Sequence, residues 1–231
     1  MKTSFGFAAT ILLSLSLLGS GAAQETVFNV PSADMLDRGK VYAELDFTYR
    51  PSDSLKTFTP RIVVGLGHRI EAGVNINGIA TPIASQATIT PTIKWKAYDG
   101  DQNGWSFLVG DNLFIPVQNK TYDAGTWVYA EFAKSWKTNT RATFGAYYTT
   151  RNVFAPFQRA GGQFAIEQAI NHRLTLAADW FTGNSGAGYV TPGAIIKITS
   201  RLTWYMSYQV GNSGAANGNH QFLAELGWNW N

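Results

Sequence analysis

The sequence predicts an all-β protein, a single closed antiparallel transmembrane β-barrel of about twelve strands that follows a cleaved leader. Three observations carry that expectation. Apolar and polar residues alternate through most of the chain after residue 40, no segment beyond the leader is long and apolar enough for a membrane helix, and short connections alternate with long ones. Period-two alternation places successive side chains on opposite faces of a strand. A closed barrel is the β-structure that leaves no unpaired edge in a bilayer.

The leader comes first. Lys2 supplies a positive start, the run from Phe5 to Leu18 is almost free of strongly polar side chains, and Gly19-Ser20-Gly21-Ala22-Ala23 ends it with small residues. That order is a signal peptide over residues 1–23, cut ahead of Gln24. The run is shorter than the ~20 apolar residues of a spanning helix. Without cysteine the chain has no lipid-anchor thiol, disulfide or thiolate metal site. Residues 24–38 are expected as a short periplasmic segment, with the barrel over 39–231.

Composition narrows the class. Charged residues are 14% of the chain, against ~25% in soluble domains. The formal charge of +3 falls to +2 once Lys2 leaves with the leader, too little to imply nucleic acid as a partner.

Val41-Tyr42-Ala43-Glu44-Leu45-Asp46-Phe47-Thr48-Tyr49 shows the alternation most plainly, with every odd residue apolar or aromatic. Similar segments follow near 58–66, 70–79, 88–98, 104–115, 126–136, 141–150, 162–170, 174–182, 189–198, 202–210 and 219–230. Five connections are tight, around Gly67-His68-Arg69, Asp99-Gly100-Asp101, Asn139-Thr140-Arg141, Asn171-His172-Arg173 and Thr199-Ser200-Arg201. The others, near 50–57, 80–87, 116–125, 151–161, 183–188 and 211–218, are longer. Tight turns inside and long loops outside are the pattern of bacterial outer-membrane barrels. Three-residue turns set Leu66 opposite Ile70, Ile170 opposite Leu174 and Ile198 opposite Leu202, keeping apolar faces together. Thr59-Pro60, Thr90-Pro91 and Thr191-Pro192 read as devices for leaving a loop.

Alternation does not say which face is dry. About eight strands enclose what side chains can fill, so twelve place the apolar set outside. The tryptophans agree: Trp95, Trp105, Trp136, Trp204, Trp228 and Trp230 lie towards the turns, Trp127 and Trp180 towards the loops, as two interfacial girdles. A periplasmic sandwich with a tryptophan core is the alternative.

The final strand, Phe222-Leu223-Ala224-Glu225-Leu226-Gly227-Trp228-Asn229-Trp230, carries a resemblance to bacterial outer-membrane β-barrels of the porin-like type. It extends over essentially the whole mature chain. In that superfamily an alternating last strand with a near-terminal aromatic is read by the barrel assembly machinery; here Asn231 follows Trp230, a small departure. The resemblance implies the outer membrane of a diderm bacterium and contact with its lipids. The chain is similar in strand number to small porins for acidic oligosaccharides, a nucleoside channel and the porin-like transporters of aromatic-degradation loci, a likeness that fixes no substrate.

With the apolar set facing lipid, the opposite parity lines the lumen: Glu44, Asp46, Arg61, Glu71, Lys94, Lys96, Glu131, Glu167, Asp179, Lys197 and Glu225, with Tyr42, Tyr129, Tyr147 and Tyr205. Mixed charge in a wet passage favours diffusion of small hydrophilic solutes. The competing reading is a plugged lumen, with Glu131, Glu167 and Glu225 paired to Lys94, Lys96 or Arg61 and a structural or surface role left to the third, fourth and sixth long loops. Asp111 falls on the apolar parity of Trp105, Phe107 and Val109, which predicts a bulge or strand exit near Gly110. Asp111, Lys120 and Asp123 would then form a constriction, or an external loop. Arg69, Arg141, Arg173 and Arg201 would ring the periplasmic rim among lipid headgroups.

A lipid-modifying enzyme is the third reading. His68 and His172 lie in tight turns, and only His220 opens a strand near Ser207 and Ser213. No G-x-S-x-G element accompanies them. Three scattered histidines give no metal spacing, no Gly-rich phosphate loop is present, and no cofactor is expected.

Overall fold

A computed structural model describes residues 25–100, 103–120, 123–150, 153 and 158–230. The expected signal peptide at 1–23 lies outside the described residues. Thirteen strands follow in order: β1 (Val41–Arg50), β2 (Leu55–Gly67), β3 (Ile70–Asn77), β4 (Ile79–Thr81), β5 (Thr88–Gly100), β6 (Trp105–Pro116), β7 (Gly125–Ser135), β8 (Thr140–Thr149), β9 (Ala160–Ala169), β10 (Leu174–Phe181), β11 (Tyr189–Lys197), β12 (Leu202–Gly211) and β13 (Gln221–Trp230). Each barrel strand pairs antiparallel with its neighbours in sequence, and β1 pairs with both β2 and β13, which closes a twelve-stranded barrel. The extra strand β4 follows Gly78 and pairs with the upper part of β2. Gly78 has φ +78°, and a Cβ there would meet the Gln86 carbonyl oxygen at 2.2 Å. Glycine alone serves that break.

The barrel is dry outside and polar inside. Leu45, Ile62, Ile93, Phe132, Ile166 and Leu226 are exposed, whereas Glu44, Glu71, Lys94, Glu131, Asp179 and Glu225 are buried. Leu45 lies at mid-strand opposite Leu226 and Pro60. A Leu45→Arg substitution is expected to destabilise the barrel in lipid by about 2–4 kcal/mol, read as a shifted denaturant midpoint in vesicles; an unchanged midpoint would contradict lipid contact there.

Two registers depart from expectation. Gly67, not Leu66, stands opposite Ile70, with a shift between Gly65 and Gly67. The cause is the incoming chain. Gly65 donates to the Lys40 carbonyl and accepts from the Gly39 N–H, and a Cβ on Gly65 would fall 2.1 Å from the Asp37 carbonyl oxygen. The irregularity expected at Gly110 lies instead on the neighbouring strand, between Lys96 and Tyr98. β6 runs unbroken against β7 through Asp111, which pairs with Val128. Asp111 thus keeps the outward parity of Val109, and the Thr126 hydroxyl donates to its carboxylate. The hairpins at Ile170/Leu174 and Ile198/Leu202 close as the spacing predicts, each with a 2.9 Å backbone hydrogen bond.

Trp95, Trp105, Trp136, Trp180, Trp204, Trp228 and Trp230 are exposed on the outer face. Trp127 is not a girdle residue. It is buried in the lumen, with its ring 5.1 Å from Tyr129 and 5.4 Å from Phe181. It shares the parity of Tyr129 and Glu131, and that parity takes it inward.

Candidate functional site

The segment expected beneath the barrel stands inside it. Residues 25–32 form a small hairpin, held by Val27 N–H to the Val30 carbonyl at 2.8 Å and Ser32 N–H to the Glu25 carbonyl at 2.9 Å. Its tip docks on β10: the Asp179 carboxylate accepts the backbone N–H groups of Phe28, Asn29 and Val30 at 2.5–3.1 Å. Asn29 Nδ2 also donates to Asp179 at 3.1 Å and to Thr191 Oγ1 at 2.8 Å, while Gln209 Nε2 donates to Asn29 Oδ1 at 2.6 Å. The proline of Thr191-Pro192 lies inside β11, and its threonine is a docking residue. Val27, Phe28, Val30 and Ala33 join Leu108, Tyr129, Ala165, Ala177, Ile195 and Leu223 in one apolar cluster within the lumen. Buried polar groups need such partners, and the plug supplies them to the barrel wall.

The stem of the plug fills the short-turn half. Lys94 Nζ donates to the Ser32 and Asp34 carbonyls at 3.1 Å each and pairs with Glu71 at 2.7 Å; Glu71 in turn accepts the Leu36 N–H at 3.0 Å. Arg141 is not a rim contact with lipid. Its guanidinium grips Asp34 at 2.7 Å and Glu167 at 2.6 Å, inside the barrel. Arg141 carries the same parity as Thr143 and Tyr147, the inward signal that its place beside a turn obscured. Burial disfavours the Asp34 carboxylate, yet the adjacent Arg141 outweighs it and holds that carboxyl below the ordinary range. Arg141→Met is expected to cost roughly 2–3 kcal/mol, below the ~3–5 kcal/mol of a pair sealed from water, because part of the guanidinium remains wet. The urea midpoint in detergent measures it.

The remaining charged residues divide between lumen and surface. Arg61 faces inward, bonded to Asp46 and lying 3.2 Å from Glu44 and 3.6 Å from Glu25. Glu131 is fully buried and accepts from the Gln163 amide; Lys96 pairs with Asp99 at 3.0 Å. Glu225 is buried with neither carboxylate oxygen hydrogen-bonded. Lys197 is exposed at the end of its strand, on the parity of the buried Ile195 and opposite Thr203. Arg69, Arg173 and Arg201 are exposed at the short-turn end, as are the turn histidines His68 and His172. Lys120 and Asp123 are exposed, and neither they nor Asp111 are among the residues that line the central cavity. His220 Nδ1 accepts the Gly211 N–H at 3.1 Å.

Above the plug the lumen opens into a cavity of about 300 Å³. Asn75, Asn77, Asn112, Gln209 and Gln221 line it with Phe114, Trp127, Phe181 and Tyr189, and Glu25, Phe28 and Asn29 of the plug form its floor. These wall positions fall on the loop-side halves of their strands, so the cavity is a vestibule facing the long loops.

No family model and no curated protein matches the sequence. Solved structures do match in fold. The NanC porin aligns with a TM-score of 0.59 at 10% identity, over 82% of this chain and 99% of its own. An outer-membrane channel from Pseudomonas putida F1, of the group COG4313, gives 0.57 at 12% identity over 87% and 100%. The KdgM porin, solved with disordered oligogalacturonate, gives 0.54 at 9% over 83% and 98%. The chain has the fold of bacterial outer-membrane β-barrel proteins.

Proposed function

We propose that this chain is a porin-type outer-membrane channel for small hydrophilic solutes, with residues 25–36 seated in its lumen as a plug that passage must displace. The observation that carries the reading is the vestibule. It is a space of about 300 Å³, lined by amides and carboxylates as well as aromatic rings, at the loop end of a closed barrel, and the plug is its floor rather than a wall strand. A wall built only for rigidity would gain little from five side-chain amides gathered around a cavity at the loop end. In this reading Arg61, Glu71, Lys94 and Asp179 hold the plug when it is seated and line the passage when it is not. Arg69, Arg173 and Arg201 meet lipid headgroups at the periplasmic rim, and the loop around Asp123 stays outside.

The closed-barrel reading also has an observation in its favour, since the plug is tied by ion pairs and an apolar cluster together. Single-channel recording separates the two. Refolded residues 24–231 in a planar bilayer are expected to give discrete steps with long closed intervals. A folded barrel that stays silent at every voltage would establish the closed, surface-acting alternative.

A further inference from the structure

Where the barrel closes, three carboxylates converge with too little positive charge between them. Asp46 on β1 stands directly opposite Glu225 on β13, and Glu44 is two residues away on the same face. One oxygen from each lies within 4.8 Å of the others, and all three residues are buried. Tyr42, seated over Gly227, donates its hydroxyl to one Glu44 oxygen, and Arg61 takes one Asp46 oxygen. Asp46 Oδ1 and both oxygens of Glu225 have no hydrogen bond, and Glu44 Oε1 has only the ion pair with Arg61 Nε at 3.2 Å.

Glu225 is the independent sign of a ligand. It is only 1% exposed and is directed at its two neighbours with nothing to satisfy it. An ionised carboxylate buried without a partner costs several kcal/mol, and an unsatisfied buried group of this kind calls for an ion or water. Arg61 neutralises only part of the cluster, because its single charge is shared among Glu25, Glu44 and Asp46 and reaches no oxygen of Glu225.

We propose that Glu44, Asp46 and Glu225 bind one hard divalent cation of the calcium class across the closing seam. The donor set is all oxygen and strongly anionic, which selects Ca²⁺-like ions over soft metals. Asp46 and Glu225 both border the vestibule, so the ion enters from the loop side and completes its shell with water. Bound there, it cross-links β1 to β13. This inference does not depend on whether the lumen conducts.

The test is calorimetric titration of Ca²⁺ into refolded residues 24–231 in detergent, with Tb³⁺ luminescence as a second readout. One saturable site per chain is expected, with Tb³⁺ emission quenched by Ca²⁺ and a thermal midpoint that rises with Ca²⁺. In E225Q affinity is expected to fall beyond the about 10–100-fold that an outer-shell change costs; E44Q serves equally if E225Q does not fold. No saturable uptake by the folded wild type would overturn the site and leave the carboxylates to hold protons. Unchanged affinity in a folded E225Q or E44Q variant would place the ion elsewhere and overturn it as well.

Discussion

Deleting residues 25–37 in frame is expected to leave a folded barrel whose single-channel conductance is several times that of the intact chain. The wall does not need the plug: β1–β2 and β1–β13 pair along their whole length without it, and the lipid-facing residues are untouched. What the wall loses is interior contact. Lys94, Glu71, Asp179 and Arg141 would then face water entering the lumen, and water hydrates charges that hydrocarbon could not. The apolar half-cluster around Leu108, Ile195 and Leu223 would be wetted, so a lower denaturant midpoint should accompany the larger current. The measurement is the step size in a planar bilayer, with folding checked by β-sheet circular dichroism. A folded deletion variant with unchanged steps would mean that the plug is no barrier and that the restriction lies in the wall.

The second large effect belongs to Asp179. One carboxylate accepts three consecutive backbone N–H groups and the Asn29 amide, a compact anion nest of the kind backbone donors form. Asp179→Ala removes the acceptor and strands four donors. At about 1.5–3 kcal/mol for a hydrogen bond to a charged group, the tip loses several kcal/mol of docking before water compensates. The plug is expected to stay tethered at Gly39 and Gly65 but to leave its seat. Because the chain lacks cysteine, a V30C substitution provides a clean probe. Val30 is fully buried, so maleimide labelling should be slow in V30C alone and faster by orders of magnitude with D179A added. Equal labelling rates would show that the stem, through Lys94 and Arg141, seats the plug without its tip.

Part of the lumen is legible in the residue order itself. Tyr42, Glu44 and Asp46 share the parity of no lipid-facing residue, and the same rule extends to Glu131, Asp179 and Glu225. It applies equally to Trp127 and Arg141, where position masks it: a tryptophan near a strand end reads as a girdle, and an arginine beside a turn reads as a rim. Parity is the stronger signal, because the side-chain direction in a strand is set by the backbone, whereas strand ends are shared by girdles and lumens alike.

The barrel is therefore written along the chain: the number of strands, their outward faces, the short-turn and long-loop ends. Each of these follows from local backbone geometry, repeated strand by strand at period two. Three features come instead from the closed fold: residues 25–36 stand inside, the irregularity near Asp111 is carried by β5, and Glu44, Asp46 and Glu225 meet at the seam. Asn29 and Asp179 are 150 residues apart, and Asp46 meets Glu225 only because the sheet closes on itself. No periodicity records such contacts. They arise because a twelve-stranded wall encloses more space than its own side chains fill, and the segment leading into β1 is the chain at hand to fill it.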